Sequence, residues 1–495
     1  MMRIPLDSAP LSFMLFAVVA CSGGGTATSG TTGGGSTTGG TGTSGTSGTS
    51  DTSDTSSTSS TSSTSGSSGT SDTSDTSGTS GTSGTSETSG TTGGEAVSSC
   101  DPLPAPPPEA TMATPEQAAE LQSIVGNLPD GTTLLLASGT YDLSGGRDLV
   151  VKQDGITVRS ASGNPADVIL DLGYTSGQGF LVSGDDFTVA ELTIRRPMWH
   201  GVHVVGGTDS NAENTTIYRV RIEDPGQQGI KVNPSEAGFF VDYGEIACSE
   251  IVLTDAGRAN VSDCYTGGID AHAALDWVVR DNTIEGFWCD QGLSEHAIHF
   301  WNVSRGTLVE RNVIVDCARG VGFGLGAGGN GTTRDYGDDP CPGASYLGHI
   351  DGVIRNNLVW AGRAELFASQ AGMDSGVAVE QDCGARVLHN TVFAAGGAPF
   401  VSMEYRFPNT DVTFANNLVS HDIVQRDQAQ ANLDGNMEQA GSEHFVDAAG
   451  GDLHLAPGSA AVDAGVALSD TPADDVDGQP RDDGSADVGG DELDP

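Results

Sequence analysis

Residues 267–302 read GGIDAHAALDWVVRDNTIEGFWCDQGLSEHAIHFWN. Two short β phrases, Gly-Ile-Asp-Ala-His and Ala-Ile-His-Phe-Trp, flank a third, Asp-Trp-Val-Val-Arg-Asp-Asn-Thr-Ile. Apolar and polar residues alternate in these phrases, which is typical of a β-strand with one buried face. Because the same alternation recurs along the chain, the stretch predicts one turn of a repeating all-β structure.

One repeated phrase places an Asn two residues before a core aliphatic residue. It begins at Asn282, Asn312, Asn356, Asn390 and Asn416, with intervals of 26 to 34 residues and one of 44. Such intervals are expected of a solenoid whose turns accept insertions. Stacked once per coil, these Asn side chains would hydrogen-bond along a ladder. The alternative is a β-sandwich with Asn-rich hairpins, whose strands recur at shorter intervals of about 8–12 residues.

A second phrase alternates with the first, and its outward positions form two columns. The second and fourth residues of the phrase are expected to face the core, and the third and fifth to face outward. One column reads His203, Lys231, Asp270, His299, Gly322, Ala378, and its neighbour reads Val205, Asn233, His272, Trp301, Gly324, Glu380. Adjacent coils stack about 4.7–4.9 Å apart, so the charged and imidazole groups of both columns are expected to lie close together.

A single short helix is predicted before the strands. Thr114 stands at the N-cap, Pro115 at N1 and Gln117 at N3, and the apolar periodicity continues to Val125. Residues 130–141, DGTTLLLASGTY, follow. This order resembles the N-terminal cap of right-handed parallel β-helix proteins of the pectate-lyase-like superfamily. The resemblance implies an all-β fold, a right-handed parallel β-helix with a short N-terminal capping helix over its first coil.

The first 99 residues are predicted to direct and tether the protein. Residues 1–20 contain an apolar run too short to span a bilayer and are predicted to be a signal peptide. Residues 18–21, Val-Val-Ala-Cys, resemble the lipobox of bacterial lipoproteins, which implies lipidation of Cys21; an ordinary signal peptide is the alternative. Residues 21–99 add a disordered Ser/Thr/Gly tether. We expect an extracytoplasmic protein, lipid-anchored to the bacterial cell envelope at the outer membrane, or secreted.

Residues 100–430 are predicted to form the parallel β-helix, and residues 431–495 a C-terminal cap and acidic tail. His444-Phe-Val-Asp447 and the segments that follow it resemble a terminal motif of many secreted β-helix proteins. The acidic run at residues 474–477 lacks the spacing of an EF-hand. A solvated acidic tail is therefore favoured there over a Ca²⁺ site.

Charge and cysteine usage limit the partners and the chemistry. The formal net charge of −45 argues against nucleic acid or an anionic membrane surface as a partner, so membrane contact is expected through the lipid anchor only. A monomer is expected.

Without Cys21, seven cysteines remain in an exported chain, so at least one is free or pairs between chains. Cys317, inside an apolar phrase, is predicted to be the buried free one; the sequence leaves the other pairings open.

The phrase Gly-Ile-Asp270-Ala-His272, one coil after Lys231, resembles the active-site strand of mannuronan C5-epimerases and alginate lyases, whose pattern is Asp-Pro-His. The resemblance implies a lyase or epimerase that acts on a uronic-acid polymer. A base removes the C5 proton, while a cation neutralises the adjacent carboxylate. The resemblance implies His272 as the base, Asp270 as its orienting group, Lys231 or Arg319 as the cation and Tyr265 as the acid.

His299, in the column of Asp270, completes the predicted catalytic set. The predicted substrate-binding residues are His203, Asn233, Trp301 and Glu380. Long insertions that adjoin the second phrase are expected to form the walls of a groove for a polysaccharide. They occupy residues 234–249, 254–267, 285–296, 325–348 and 361–375.

Two other classes of function remain open. A non-catalytic, polysaccharide-binding or structural surface protein would use Trp199, Trp288 and Trp301 for stacking on sugar rings. A Zn²⁺ site would need Asp270, His272 and His299 to converge, without the ligand spacing of a known zinc motif. No cofactor is required by the sequence, although Ca²⁺ would assist binding of a polyuronate to so acidic a protein.

Overall fold

The computed structural model describes residues 100–325, 334–482 and 484–493, and these residues form a right-handed parallel β-helix of three sheets. The predicted signal peptide, the lipidation of Cys21 and the tether lie outside the described residues. None of the helices within the described ranges is long and apolar enough to cross a membrane.

Sheet 1 has 14 strands, and the neighbouring strands in it are parallel. Its strands are Thr111–Ala113, Thr133–Leu136, Thr157–Ser160, Thr188–Ala190, Thr216–Tyr218, Glu245–Ala247, Val278–Arg280, Ser304–Arg305, Leu308–Glu310, His349–Ile350, Val353–Arg355, Asp382–Leu388, Asp411–Ala415 and Gln430–Asp434.

Sheets 2 and 3 have 10 strands each. Sheet 2 contains Gly139–Asp142, Val168–Asp171, Thr193–Arg195, Arg221–Glu223, Glu250–Val252, Thr283–Glu285, Val313–Val315, Leu358–Ala361, Thr391–Ala394 and Leu418–Val419. Sheet 3 contains Leu149–Val151, Gln178–Val182, His200–Val205, Gln228–Asn233, Gly267–His272, Ile298–Trp301, Arg319–Gly324, Ser375–Glu380, Met403–Arg406 and Ile423–Arg426.

The remaining elements are short. They are the parallel pair Ala212–Glu213 and Val241–Asp242, the antiparallel pair Phe445–Asp447 and Asp452–Leu455, the 3-10 helices Pro115–Glu120, Pro165–Asp167 and Ser442–His444, and the α-helices Leu121–Val125, Asp255–Arg258 and Ala364–Ala368. The predicted insertion at residues 234–249 is shorter than expected, because residues 241–242 and 245–247 already belong to strands.

The predicted capping helix is present and covers the first coil. It begins as the 3-10 helix Pro115–Glu120, where Thr114 and Gln117 form a capping box, and continues as the α-helix Leu121–Val125. Leu121 and Val125 are fully buried in the core. The helix therefore removes from water the apolar surface that an open first coil would expose.

The interior consists of stacked aliphatic columns, one for each sheet. In sheet 2 the column is Ile194, Ile222, Ile251, Ile284, Ile314, Val359, Val392 and Val419, and every member is buried. Each such side chain contributes on the order of 1.5–3 kcal/mol by leaving water. The column stays continuous because consecutive coils pair in parallel with one fixed register.

A ladder of Asn side chains runs along the turn between sheets 1 and 2. It contains Asn282, Asn312, Asn357, Asn390, Asn417 and Asn436, each hydrogen-bonded to the next by its side-chain amide. The prediction that Asn356 and Asn416 belong to the ladder is wrong by one residue, because Asn357 and Asn417 occupy those positions. The coil register aligns Ile314 with Val359, so the second Asn of each Asn-Asn pair occupies the turn position.

The C-terminal segment packs against the outside of sheet 2 as well as following the last coil. Its apolar residues, including Phe445, Leu453 and Val488, cluster with Leu358 and Leu418 on the outer face of that sheet. The prediction that the acidic run at residues 474–477 is solvated is wrong for Asp475. Asp475 is fully buried, and its carboxylate accepts hydrogen bonds from the backbone N–H groups of residues 477, 479 and 492.

The cysteines pair as Cys100–Cys248, Cys264–Cys289 and Cys341–Cys383. Cys317 is free and buried, which confirms the prediction for that residue. The first disulfide joins the start of the described chain to the middle of the solenoid. The other two anchor long insertions, since Cys264 and Cys341 lie in loops next to sheet 3.

Substitution of Asn312 by Ala is expected to destabilise the solenoid by about 3 kcal/mol, because buried backbone and amide groups of the neighbouring coils lose their partners. The measurement is the urea midpoint of unfolding. Asn432→Ala, at an exposed strand position, is the control and is expected to change stability by less than about 0.5 kcal/mol. Equal midpoints for the two variants would contradict a stabilising ladder.

Stability is also expected to fall in acid through His389. This ring is fully buried between Asn416 and the carbonyl of Asp487, and burial, with the charge of Arg481, lowers its pKa to about 3. The unfolded chain binds the proton near pH 6.5 while the folded chain does not, so stability is lost as the pH falls from about 6.5 toward 3.

Between pH 7 and pH 5 this residue alone is expected to cost about 2 kcal/mol. The test compares urea midpoints of the wild type and His389→Gln at both pH values, and the variant should lose less stability on acidification. The same pH dependence in both proteins would show that His389 titrates normally.

Candidate active site

The sequence-predicted catalytic residues lie on the outer face of sheet 3, on consecutive strands. Lys231 pairs in register with Asp270, Asp270 with His299, and His272 with Trp301. The intervening residues of each strand face the buried core, as period-two alternation requires. The two predicted outward columns are therefore confirmed at these strands.

Asp270 is the centre of the cluster. Its carboxylate is buried and forms an ion pair with the ammonium group of Lys231, while Trp301 Nε1 donates to Oδ1 at 2.7 Å. His272 Nε2 lies 3.2 Å from the same Oδ1. Both carboxylate oxygens thus have partners, which a buried charge needs in order to be tolerated.

Lys231 holds the other polar groups of the cluster. Besides Asp270, its Nζ contacts Tyr265 Oη at 3.3 Å and His272 Nε2 at 3.0 Å. An ammonium group has three hydrogens to donate; Asp270 and Tyr265 accept two of them, and His272 Nε2 accepts the third only in the tautomer in which it carries no hydrogen. Lys231 is therefore a positioning group in this structure, with its charge turned toward the protein.

His272 presents its second ring nitrogen to the outside. The side chain is 15% exposed, and Nδ1 has no hydrogen-bond partner among the described residues. When Nε2–H donates to Asp270, Nδ1 carries a lone pair and can accept a proton. When Nε2 instead accepts from Lys231, Nδ1 carries the hydrogen. The first tautomer has the geometry of a carboxylate-oriented histidine base.

The environment moves the pKa values of the cluster in opposite directions. Burial lowers the pKa of His272 below its ordinary value despite the opposing charge of Asp270, and burial raises the pKa of Tyr265 despite Lys231. Burial also opposes the charge on Asp270, but Lys231 and His272 outweigh it and hold that pKa well below its usual range. At neutral pH the imidazole is therefore unprotonated beside a protonated phenol.

Tyr265 reaches the cluster from a loop. The loop precedes the strand Gly267–His272, and the neighbouring Cys264 is bonded to Cys289 in the next insertion. The disulfide anchors the loop beside sheet 3, where Lys231 Nζ also lies 5.8 Å from the phenol ring centroid. The phenol is thus placed by a long-range crosslink and by its contact with Lys231.

The predicted substrate-binding residues do not form one group. His203 and Asn233 bond to each other, Nε2 to Oδ1 at 2.7 Å; His203 lies one coil before Lys231, and Asn233 lies on the strand of Lys231. Glu380 lies further along the sheet, with Oε1 3.9 Å from Arg406 Nη1. Arg319 begins a later strand and donates from Nε to Asp374 at 2.8 Å. The structure brings together Lys231, Asp270, His272, Tyr265 and Trp301, with the other predicted residues around them.

The three tryptophans proposed to stack on sugar rings differ in how far their indole rings are exposed. Trp301 stacks on the buried His299 ring, with centroids 5.4 Å apart, and is partly exposed. Trp199 is 43% exposed. Trp288 is buried beneath the guanidinium of Arg258, which lies 3.9 Å from its ring centroid, so the prediction that it stacks on sugar is wrong.

Two polar residues near the cluster were missed by sequence reasoning. Glu295 and His296 lie at the edge of sheet 3, just before the strand Ile298–Trp301. They stand in a loop and follow no strand periodicity, which is why the column argument did not include them. The sequence feature that could have identified them is the presence of three residues able to bind a metal within five positions, Glu295-His-Ala-Ile-His299.

No protein-family model matches this chain, and no curated protein matches it. Among solved structures it is similar to pectate lyase Pel9A, with 14% identity, a TM-score of 0.45 and coverage of 75% of this chain and 90% of that one. It is also similar to an alginate lyase from Paenibacillus sp. str. FPU-7, with 19% identity, a TM-score of 0.45 and coverage of 67% and 99%.

A third similar structure is the A-module of a mannuronan C-5 epimerase from Azotobacter vinelandii, with 14% identity, a TM-score of 0.32 and coverage of 65% and 97%. All three are remote in sequence. The reaction of this chain therefore has to be argued from its own residues.

Removal of the Cys264–Cys289 disulfide is expected to release the loop that carries Tyr265 while the solenoid stays folded. In the double variant Cys264→Ser/Cys289→Ser, hydrogen–deuterium exchange should rise in residues 254–266 and 286–294. The expected loss of stability is about 3 kcal/mol for a loop of this length. The strands Gln228–Asn233 and Gly267–His272 serve as the internal control, and faster exchange there would mean that the disulfide supports the whole sheet.

Proposed function

We propose that the protein cleaves a uronic-acid-containing polysaccharide by β-elimination. The observation that carries this proposal is the cluster around Asp270, in which one buried carboxylate positions an outward-facing imidazole and an ammonium group that also holds a phenol. A proton abstraction next to a carboxylate needs a neutral base and a protonated acid close together. The pKa directions of His272 and Tyr265 match these two requirements.

The proposed reaction assigns one step to each group. His272 Nδ1 accepts the C5 proton, and the electron pair left on C5 forms the C4–C5 double bond. The C4–O4 bond breaks, and Tyr265 donates its phenolic proton to the leaving oxygen. Asp270 orients the imidazole and stabilises its protonated form, as in other carboxylate–histidine pairs. Proton balance is restored when the imidazolium and the phenolate exchange protons with water.

Cleavage is favoured over epimerisation by the arrangement of the two groups. Epimerisation at C5 needs a base on one face of the sugar and an acid on the opposite face. Here Tyr265 Oη and His272 Nε2 both contact the one nitrogen of Lys231, at 3.3 and 3.0 Å. Both side chains therefore belong to one cluster on the outer face of sheet 3, and the proposal places base and acid on one side of the sugar, as elimination of a proton and a leaving group on the same face requires.

The substrate carboxylate needs a cation, and Arg319 is the better candidate in this proposal. Lys231 is buried, and its ammonium group is paired with Asp270 and donates to Tyr265. Arg319 uses Nε for Asp374, and its two terminal nitrogens have no hydrogen-bond partner among the described residues. Its charge also acts on Glu295 and His299 at the edge of the cluster. Ca²⁺ is the alternative source of positive charge, which the assay below includes.

A binding function without catalysis is the second candidate. Trp199 is 43% exposed immediately before the strand His200–Val205, two coils from Asp270, where an indole face can stack on a sugar ring. Polysaccharide is the proposed partner in both cases. A polysaccharide substrate also suits the envelope-tethered or secreted location predicted from residues 1–99.

The experiment incubates the full chain with alginate, pectate and glycosaminoglycans, with and without Ca²⁺. Unsaturated product is followed by ultraviolet absorbance, and exchange at C5 by NMR. Asp270→Asn is expected to lower kcat by about 10³- to 10⁴-fold, because the imidazole loses its orienting carboxylate. His272→Ala and Tyr265→Phe are expected to lower kcat by at least about 100-fold.

His421→Ala is the matched control, since it removes a histidine from a turn far along the chain and should keep full activity. Exchange at C5 without cleavage would replace the lyase proposal by an epimerase. Retention on a polysaccharide gel that is lost in Trp199→Ala, with neither cleavage nor exchange, would assign the protein to the binding class.

A further inference from the structure

A group of three potential metal ligands lies beside the Asp270 cluster and takes no part in the proposed reaction. Glu295, His296 and His299 each offer one ligand atom, and these three atoms lie within 4.8 Å of one another. Glu295 Oε2 is 3.7 Å from His299 Nδ1, and the two imidazole centroids are 4.4 Å apart. The group contains two nitrogen ligands and one carboxylate.

Three of the four imidazole nitrogens of this group are buried without hydrogen-bond partners among the described residues. His296 is 5% exposed and His299 is 1% exposed. Within residues 100–325, 334–482 and 484–493, neither Nδ1 nor Nε2 of His296 has a hydrogen-bond partner, and neither does Nδ1 of His299. Buried polar atoms are rarely left unpaired, because each one loses its hydrogen bonds to water without compensation. Three such nitrogens next to a carboxylate indicate that a bound species normally satisfies them.

The tautomer of His299 is already suited to metal binding. Its Nε2 lies 2.9 Å from the carbonyl oxygen of Gly324, which can only accept a hydrogen bond. Nε2 therefore carries the hydrogen, and Nδ1 directs a lone pair toward Glu295. A backbone carbonyl that fixes the distal nitrogen in this way is a common partner of metal-ligating histidines.

The backbone that carries the three residues is held on both sides. Glu295 N donates to Thr266 O at 2.9 Å, the carbonyl of His296 accepts from Gly268 N at 3.3 Å, and Ala297 N donates to Arg319 O at 2.9 Å. The next coil leaves room for one ring, because a Cβ on Gly322 would lie 2.7 Å from His296 Nε2. The ligand positions are thus set by strand pairing on two neighbouring coils.

We propose that Glu295, His296 and His299 bind a divalent transition-metal ion, with Zn²⁺ the best match to the ligand set. Two imidazoles and one carboxylate are the protein ligands of known catalytic zinc sites, which keep a fourth position for water or substrate. Imidazole ligands exclude Ca²⁺ and Mg²⁺ as the preferred ions, since both favour oxygen. Tetrahedral Zn²⁺ ligands lie about 3.4 Å apart, so binding shortens the 3.7 Å separation of Glu295 and His299 by about 0.3 Å and the other two separations, which are within 4.8 Å, by at most about 1.4 Å.

The group is partly exposed and lies near charges of both signs. Glu295 is 32% exposed, so the carboxylate of the group reaches solvent while both imidazoles are buried. Asp270 pairs in register with His299 and adds negative charge near the group, whereas Arg319 opposes it with a positive charge that Asp374 partly offsets. The ion would lie next to the proposed active site but does not depend on the reaction proposed there.

The test is metal binding by the full chain, purified without a polyhistidine tag and treated with a chelator. Titration with Zn²⁺, followed by calorimetry and elemental analysis, is expected to show one tight equivalent, and Ca²⁺ or Mg²⁺ should not compete. Co²⁺ should give the visible absorption of a tetrahedral site. His296→Ala, His299→Ala and Glu295→Gln are each expected to weaken Zn²⁺ binding by at least about 100-fold.

Two controls make the outcomes distinct. His454→Ala changes another acid–histidine group, formed with Asp477 and Asp491, and should leave Zn²⁺ binding unchanged. Thermal melts and circular dichroism without metal should show that the variants are folded, and Zn²⁺ should raise the Tm of the wild type but not of the three ligand variants. No tight equivalent in the wild type, or its loss in His454→Ala alone, would overturn the proposal, whatever the polysaccharide assays show.

Discussion

The parallel register between successive strands of sheet 3 is the constraint on which the rest of the molecule depends. It pairs Lys231 with Asp270 and Asp270 with His299, although these residues lie 29 or more positions apart in the chain. A slip of one residue would turn Asp270 into the apolar interior and Ile269 outward. The same hydrogen bonds that build the sheet therefore also form the charged cluster on its surface.

Two groups of buried polar side chains in this solenoid are closed by hydrogen bonds between coils. The Asn ladder satisfies its amides from coil to coil, and His349 bonds to Asp382 at 2.8 Å and to Thr307 at 3.0 Å in a fully buried row. That row contains a hydroxyl, an imidazole and a carboxylate, yet it is closed to any substrate and acts in the fold. Other buried side-chain atoms of the described residues lack partners, among them both amide atoms of Gln228 and three of the four ring nitrogens of His296 and His299.

The Asp270 cluster shows how one arrangement serves both stability and chemistry. Burying Lys231 and Asp270 costs desolvation that their attraction offsets only while every partner is present. Tyr265, His272 and Trp301 supply those remaining partners. The groups that complete the hydrogen bonds are also the ones whose pKa values are moved by burial. Removal of any one of them is expected to disturb folding and function together, which is why the conservative variants Asn and Phe are preferred over Ala at residues 270 and 265.

The sequence alone determined the features that depend on local periodicity. Period-two alternation predicted the strands, their outward columns and the buried free Cys317, and the capping signals at Thr114 predicted the first helix. These predictions succeeded because side-chain direction in a strand and hydrogen bonding at a helix start are set by a few neighbouring residues. The solenoid repeats the same alternation in every coil, so its fold can be predicted without knowledge of contacts between distant residues.

Only the tertiary structure decided the features that depend on residues far apart in the chain. Two adjacent Asn residues at 356–357 fit the ladder equally well until the register with the previous coil selects the second. The burial of Trp288 under Arg258, the disulfide that places Tyr265, and the approach of Glu295 to His299 all arise from loops. Loops carry no periodic pattern, and their positions follow from crosslinks and contacts between coils. The strands could therefore be predicted from the sequence, whereas the loop-borne groups that complete the site could not.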